Sequence, residues 1–306
     1  MDRFDSLKLF IRIVELGNFS RAADALGIPR ATATHAIQQL ESRLGTRLLD
    51  RTTRQVRPTL DGQAFYERCV NVLSELEDAE ASLRQVASNP RGTLRVDMSS
   101  VHAVHIVLPR IDEFRHRYPG IDVVVSSGDR LIDLVYEGVD CVVRAGVPKD
   151  STLMARRLAL MPQVICASPE YLAAFGTPQH PDELSAHQAV GFFSSGNKAD
   201  FGLQLIIDGA LRTYSLGGWM VTNDAASYAV CAKRGCGLVQ MPRYHVEDDL
   251  REGRLVEVLG DWASPHMPLS AMYPYHRQLS RRVRVFIDWL SELYEERFGP
   301  LPGPSV

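Results

Sequence analysis

Apolar residues recur at helical spacing through the first ninety or so positions of the chain, then change to short runs of the strand type. From about Phe4 to Leu16, Leu7, Phe10, Ile11 and Val14 share one face, and Gly17 ends the pattern. A second helix is predicted through Ala22, Ala23 and Leu26, with Ser20 as its N-cap, because a serine hydroxyl accepts from a free first-turn N–H. Gly27 follows where the chain must turn sharply, which suits a residue without a Cβ. A third helix restarts near Pro29 or Arg30 and places Ala33, Ile37, Leu40 and Leu44 on one face. Its other faces carry Arg30, Ala31, Thr32, Thr34, His35, Gln38 and Gln39. After Leu48 and Leu49, the stretch DRTTRQVRPT (50 to 59) predicts a short hairpin with a polar tip.

A long helix is then expected from about Leu60 to Ala87. Phe65, Cys69, Val72, Leu76, Ala79, Leu83 and Val86 follow one another in steps of four and three, a heptad seam. The other faces are mostly Glu, Asp, Arg, Gln or Ser, so pairing with the same helix of a second subunit is favoured over packing on its own core. The segment ends at SNPRG, 88 to 92, a Pro/Gly boundary. From Thr93, strands and helices alternate, which predicts an α/β sheet with mainly parallel strands. TLRVDMSS, IDVVVSS and DCVVRAG are the first strands, with further ones at 162–168, 188–193, 203–208, 212–219, 237–241, 255–259 and 268–273. Helices are expected at 169–175, 225–234, 243–251 and 280–297, before a frayed tail FGPLPGPSV.

Length and charge narrow the function. The 306 residues suggest about two domains, and the 45% hydrophobic content is ample for their cores. No run of 18 apolar residues occurs, and the start MDRFDSLKLF lacks a basic, then apolar, secretory signal, so a cytoplasmic location away from membranes is expected. Cys69, Cys141, Cys166, Cys231 and Cys236 are scattered, with no CxxC and no zinc spacing, and are expected to be reduced. The net charge is -3, yet Arg30, Arg43, Arg47, Arg51, Arg54 and Arg57 face only Glu41 and Asp50 within 30–57, a local excess of 6 − 2 = +4. Such an excess in an acidic chain marks a phosphate-binding surface, and a helix face of Arg, Thr, His and Gln suits base edges in a major groove. A helical hairpin with a merely solvated face is the plain alternative.

Catalytic arrangements are not supported. Asp97, Ser99, Ser100, His102 and His105 cluster in sequence, but there is no G-x-S-x-G elbow, and nothing sets a base against a nucleophile. His102 and His105 are a weak metal pair, more simply read as solvated or core histidines, and no metal or cofactor is expected. The glycines of RGCGLV follow a helix and precede a strand, the reverse of a phosphate loop. Ser99 and Ser100 stand where a strand gives way to a helix. There they form either a plain cap, with Ser100 on a helix beginning at Val101, or a carboxylate site with the amides of Val101 and His102.

Residues 1–60 resemble the winged helix-turn-helix of LysR-type transcriptional regulators, through AA-x-x-LG, I-x-x-LE-x-x-LG and LLDRTTR. Pro29 and Arg30 stand where many members have serine and glutamine, so the usual capping hydroxyl is absent, while a proline at a helix start is tolerated. The later segments DLVYEGVDCVVRAG (133–146), RRLALMPQVICASPEYL (156–172), RGCGLVQMP (234–242) and VRVFIDWL (283–290) extend the resemblance over nearly the whole chain. It implies an N-terminal all-α winged helix-turn-helix (1–59), a linker helix for dimerisation with a hinge (60–92), and a two-lobed α/β effector domain of the type 2 periplasmic-binding-protein-like fold (93–300). Lobe I would take 93–164 and 268–300 and lobe II 165–267, with crossing strands near 162–168 and 262–268 as their hinge, and 301–306 as tail.

By the same resemblance the chain is expected to bind double-stranded promoter DNA, self-associate as a dimer of dimers, meet RNA polymerase and respond to a small, possibly anionic effector. The implied DNA contacts are Ser20, Arg30, Ala31, Thr32, Thr34, His35, Gln38, Gln39, Arg51, Arg54 and Arg57. The implied effector contacts are Ser99, Ser100, Val101, His102, Ser126, Ser127, Arg144, Thr222 and Asn223, with Arg144 meeting either an anion or a structural carboxylate. Two rivals remain: a thiol sensor using Cys231 and Cys236, and a ligand-binding protein without regulatory DNA binding.

Overall fold

The computed structural model describes residues 2–51, 56–83, 90–129, 134, 137–147, 153–193, 199–274 and 279–302. The chain divides into two compact units, 1–89 and 90–306.

In the first unit, α1 (Arg3–Leu16) opens with a reciprocal capping box between Asp2 and Asp5, and Gly17 closes it at φ 60°. Leu7, Leu9, Phe10 and Ile13 are its buried residues, while Ile11 and Val14 are only partly buried, because α1 packs against three other helices rather than one. Helix α2 (Phe19–Ala25) is capped by Asn18, whose Oδ1 accepts from the N–H groups of Ser20 and Arg21 at 2.8 and 3.1 Å. Ser20, expected as the cap, lies two positions too late: Phe19 is buried and is already helical.

Helix α3 (Arg30–Leu44) has Pro29 at its N-cap and therefore no side-chain cap bond. Ala33, Ala36, Ile37 and Leu40 enter the core, whereas Leu44, expected on that face, is 40% exposed beside the terminating Gly45. Strands β1 (Leu49–Arg51) and β2 (Val56–Pro58) pair antiparallel as the wing, with Asp50 opposite Arg57. The carboxylate of Glu41 accepts from the backbone N–H groups of Leu48 and Leu49 at 2.8 and 3.1 Å, and so fixes the wing to α3.

Helix α4 (Leu60–Leu83) follows at once. Thr59 Oγ1 accepts from the Gly62 N–H at 2.9 Å, and a Cβ on Gly62 would stand 1.9 Å from the Leu48 carbonyl oxygen, so only glycine lets α4 approach this closely. The expected seam divides. Phe65 packs on the core with its ring 5.6 Å from that of Phe10, and Cys69 and Leu73 are buried in it. Cys69 is thus a core residue of the head rather than a seam residue, since α4 lies along α1 there. Val72 is 48% exposed and Leu76 is partly exposed, while the side chains of Ala79 and Leu83, and the whole of Val86, lie outside the described residues.

The second unit is α/β. Strands β3 (Gly92–Met98), β4 (Ile121–Ser127), β5 (Cys141–Ala145) and β6 (Leu153–Met161) join a five-stranded sheet ordered β4-β3-β5-β14-β6, in which β14 is Met267–Pro274. Between β3 and β4 runs a helical segment that is α-type as α5 (Ser100–His102), widens to a π-turn over Ala103–Val107, and ends in α6 (Ile111–Arg117). The second sheet is ordered β12-β7-β13, from β7 (Gln163–Ala167), β12 (Val239–Pro242) and β13 (Val256–Val258). Around it stand α7 (Pro169–Phe175), β8 (Gly191–Phe192), the β9–β10 hairpin (Gly202–Ile207 and Ala210–Ser215), β11 (Val221–Thr222), α8 (Ala225–Lys233) and α9 (Glu247–Arg251). Helix α10 (Arg281–Phe298) returns to cover the first sheet with Phe286, Trp289, Leu290 and Tyr294.

The mainly parallel arrangement expected from the alternation holds for β3, β4 and β5 and for the short β8–β11 pair. Strands β6 and β14 carry the chain out of the first lobe and back into it, and two passages in opposite directions pair antiparallel, as β7 does with both of its neighbours. Where the passages cross, the Gln163 side-chain amide donates to the Pro265 carbonyl at 2.7 Å.

Candidate nucleic-acid interface and effector cleft

Helix α3 presents its polar face outward. Arg30, Ala31, Thr32, His35, Gln38 and Gln39 are exposed and Thr34 is half-buried, all opposite the buried Ala33, Ala36 and Ile37. His35 and Gln39 meet each other at 3.0 Å, one turn apart. Pro29 supplies no side-chain cap to the first-turn N–H groups of α3, and the exposed Arg30 is the first residue of that turn. A cation at the positive end of a helix is unfavourable on its own, and the combination suits an anion such as a DNA phosphate. Arg57 is exposed on β2, Ser20 is half-buried on α2, and Arg54 and the Arg51 side chain lie outside the described residues.

In the second unit the expected effector residues gather at the carboxyl ends of β3, β4 and β5, the edge where ligands enter open α/β sheets. Their charges are already balanced. Arg144 forms a buried ion pair with Asp97, and its Nη1 also donates to the Val143 carbonyl at 3.1 Å. Asp97 also accepts from Ser126 Oγ at 2.5 Å. Ser127 is exposed beyond it. The Ser99 hydroxyl is buried without a hydrogen-bond partner among the described residues, although Ser99 stands at the N-cap of α5. Ser100, expected as that cap, begins the helix instead and donates toward Asp224 at 3.5 Å.

The two lobes meet at the start of α8. Asp224 caps α8 through the Ser227 N–H at 2.7 Å, and the Ala225 N–H donates across to Asp129 Oδ2 of the first lobe at 2.8 Å. Burial would raise the Asp224 carboxyl, but bonds from Ser227, Ser100 and Ala226 outweigh it and hold the group below the usual carboxylate range. Thr222 is buried with its hydroxyl accepting from the Asp224 N–H at 3.3 Å, and Asn223 is exposed.

Val101 and His102 turn away from this edge into the core. His102 sits between the Tyr244 and Tyr294 hydroxyls, at 2.9 and 3.4 Å from Nδ1, so it is a buried structural histidine rather than a lining residue. His105 is exposed, and among the described residues no group of three His, Cys, Asp or Glu is placed to hold a metal ion. Sequence reasoning missed Asp129 and Asp224 as the contacts between lobes. Asp224, directly before the helical run AASYAV, carried the ordinary signature of an N-cap.

A reading helix backed by a wing, in one chain with a two-lobed α/β domain, defines a DNA-binding transcriptional regulator with an effector-binding domain. Residues 4–63 match the family described as bacterial regulatory helix-turn-helix protein, lysR family, and residues 87–295 match the LysR substrate binding domain. The chain therefore belongs to the LysR family of bacterial regulators.

Among its relatives, the HTH-type transcriptional regulator YhjC of Escherichia coli is 38% identical over 97% of this chain and 99% of its own. An HTH-type transcriptional repressor of Pseudomonas aeruginosa is 37% identical over 97% of this chain and 93% of its own. The solved LysR-type regulator CrgA of Neisseria meningitidis is similar with a TM-score of 0.57 and 32% identity, covering 94% of this chain and 97% of that one. Among the described residues no helix is long and apolar enough to cross a membrane.

Proposed function

We propose that the chain binds promoter DNA through the exposed face of α3 and the wing, as a cytoplasmic, non-catalytic dimer of dimers paired along α4. Two reading helices then enter successive major grooves, so the site carries partial dyad symmetry. The observation that carries this reading is the outward polar face of α3, with Arg30 beside an uncapped helix start. That placement favours a phosphate contact for Arg30 over a guanine contact.

The effector enters at the junction of the lobes. Arg144 is neutralised by Asp97, so an anionic effector finds its acceptor site at the first N–H of α8, where it must displace Asp129. The differential contact opens or closes the lobes, which rearranges the subunits and alters DNA bending or contact with RNA polymerase.

Arg30→Ala is the test of the interface. If Arg30 holds a phosphate, the variant weakens binding uniformly across operator variants at fixed salt and the salt slope falls by about one, whereas a base-reading Arg30 costs on the order of 1 to 3 kcal/mol. Loss confined to one base position assigns the guanine role instead. Unchanged binding on every duplex removes Arg30 from the interface.

A further inference from the structure

Helix α8 ends in a backbone motif that dictates which two side chains touch. Gly235 adopts φ 73°, its N–H donates to the Ala232 carbonyl at 3.1 Å, and the N–H of Cys236 reaches back to the Cys231 carbonyl at 3.1 Å. These two bonds make a Schellman cap, in which the residue after the glycine meets the residue that opens the last helical turn, usually as an apolar pair. Here both positions are cysteine, and Cys236 is near enough to help push the Cys231 thiol up. The longer of the two backbone loops brings the cysteines into the range a disulfide spans, about 4.4–6.8 Å between Cα atoms.

The pair differs from the other cysteines. Cys69, Cys141 and Cys166 are 3% exposed or less, and burial pushes their thiols up to about 11, 12 and 12, so they are enclosed and protonated at neutral pH. Cys236 is only half-buried, within reach of a small oxidant, and Cys231 lies directly beneath it at 8% exposure. Burial and the neighbouring Cys236 push the Cys231 thiol up, which suits it to the second step of an oxidation rather than the first.

We propose that Cys231 and Cys236 form a reversible dithiol–disulfide site oxidised by hydroperoxides. Cys236 sulfur attacks the peroxide, the O–O bond breaks, and one oxygen leaves as water, or as an alcohol from an organic hydroperoxide, while Cys236 becomes a sulfenic acid. Cys231 sulfur then attacks Cys236 Sγ. The S–S bond forms as the S–O bond breaks, and hydroxide leaves with the Cys231 proton as a second water. Two sulfurs give up two electrons in all, and the peroxide oxygens take them. A dithiol reductant reverses the change by exchange.

The test uses the full chain treated with a few-fold excess of hydrogen peroxide, then alkylated and digested. Trypsin cuts after Lys233 and Arg234, between the two cysteines, so the oxidised site appears as a linked peptide pair. Two of the five thiols resist alkylation, the intact mass falls by two hydrogens, and dithiothreitol restores both. Cys231→Ser leaves a sulfenic acid on Cys236 that dimedone traps, and Cys236→Ser yields no linked pair, with circular dichroism confirming that each variant is folded. Absence of the linked pair in the peroxide-treated protein with neither cysteine substituted overturns the proposal. So does a pair linked between chains, seen as a dimer on a non-reducing gel, or Cys236 passing to sulfinic acid while Cys231 stays reduced.

Discussion

Asp97 sets the charge balance of the cleft. It receives the Arg144 guanidinium from β5 and the Ser126 hydroxyl from β4, so three neighbouring strands converge on one carboxylate. Asp97→Ala leaves the guanidinium buried without its partner, and the expected loss is about 3–5 kcal/mol of stability by urea denaturation. A loss under about 1 kcal/mol would show that water or another group replaces the carboxylate. At this scale the sequence was partly legible. Arg144 at the end of a buried strand had to meet either an anion or a carboxylate, but its partner is 47 residues away and is fixed by the parallel β3–β5 register. The choice between Asn18 and Ser20 as cap was likewise decided by the burial of Phe19, which local chemistry does not encode.

Helix α4 is covered on one part of its apolar seam and not on another. Its first turns, with Phe65, Cys69 and Leu73, complete the core of the DNA-binding head, while Val72 is exposed and Leu76 partly so. The double change Val72→Glu and Leu76→Glu should therefore weaken self-association by at least about tenfold, as each buried apolar side chain is worth about 1.5–3 kcal/mol. The thermal transition of the head should move little. Sedimentation equilibrium reads the first effect, and an unchanged association constant would place the pairing surface elsewhere. The heptad period was visible in the sequence. That its first half is committed to the chain's own core was not, because a seam and a core stripe share one period and differ only in what stands opposite.

For the whole molecule, the buried histidines couple stability to pH. His102 is enclosed in the core, and burial first, then the neighbouring His245 and Arg144, lower it to about 3. His245 is lowered to about 3 by burial and by His105. Both are neutral when folded and protonate near pH 6.5 when unfolded, so their stabilising contribution is complete above about pH 6.5 and declines as pH falls toward 3. The slope approaches about 1.4 kcal/mol per pH unit for each histidine. Urea midpoints at pH 7.5, 6 and 5 should fall in step, and His102→Gln should flatten the decline. A flat profile between pH 7 and 5 would mean that water reaches these rings. Asp224, held below the usual carboxylate range, contributes stability that is lost only at more acid pH, so the two effects separate.

Strand and helix positions along the second unit were largely legible in the sequence, as from β7 near 162–168 to α10 near 280–297, but β6 (Leu153–Met161) was not among the expected strands. The sheet directions were not, because antiparallel passages between lobes depend on where the chain crosses rather than on local pattern. The proposed function depends on sequence-specific DNA recognition by α3 and the wing. It is tested most directly by a salt titration of the full chain against its own upstream intergenic DNA and a scrambled duplex of equal length. Tighter, footprinted binding to the native piece, with log K falling linearly in log salt, is the predicted result. Equal and weak binding to both duplexes at every salt concentration would contradict it.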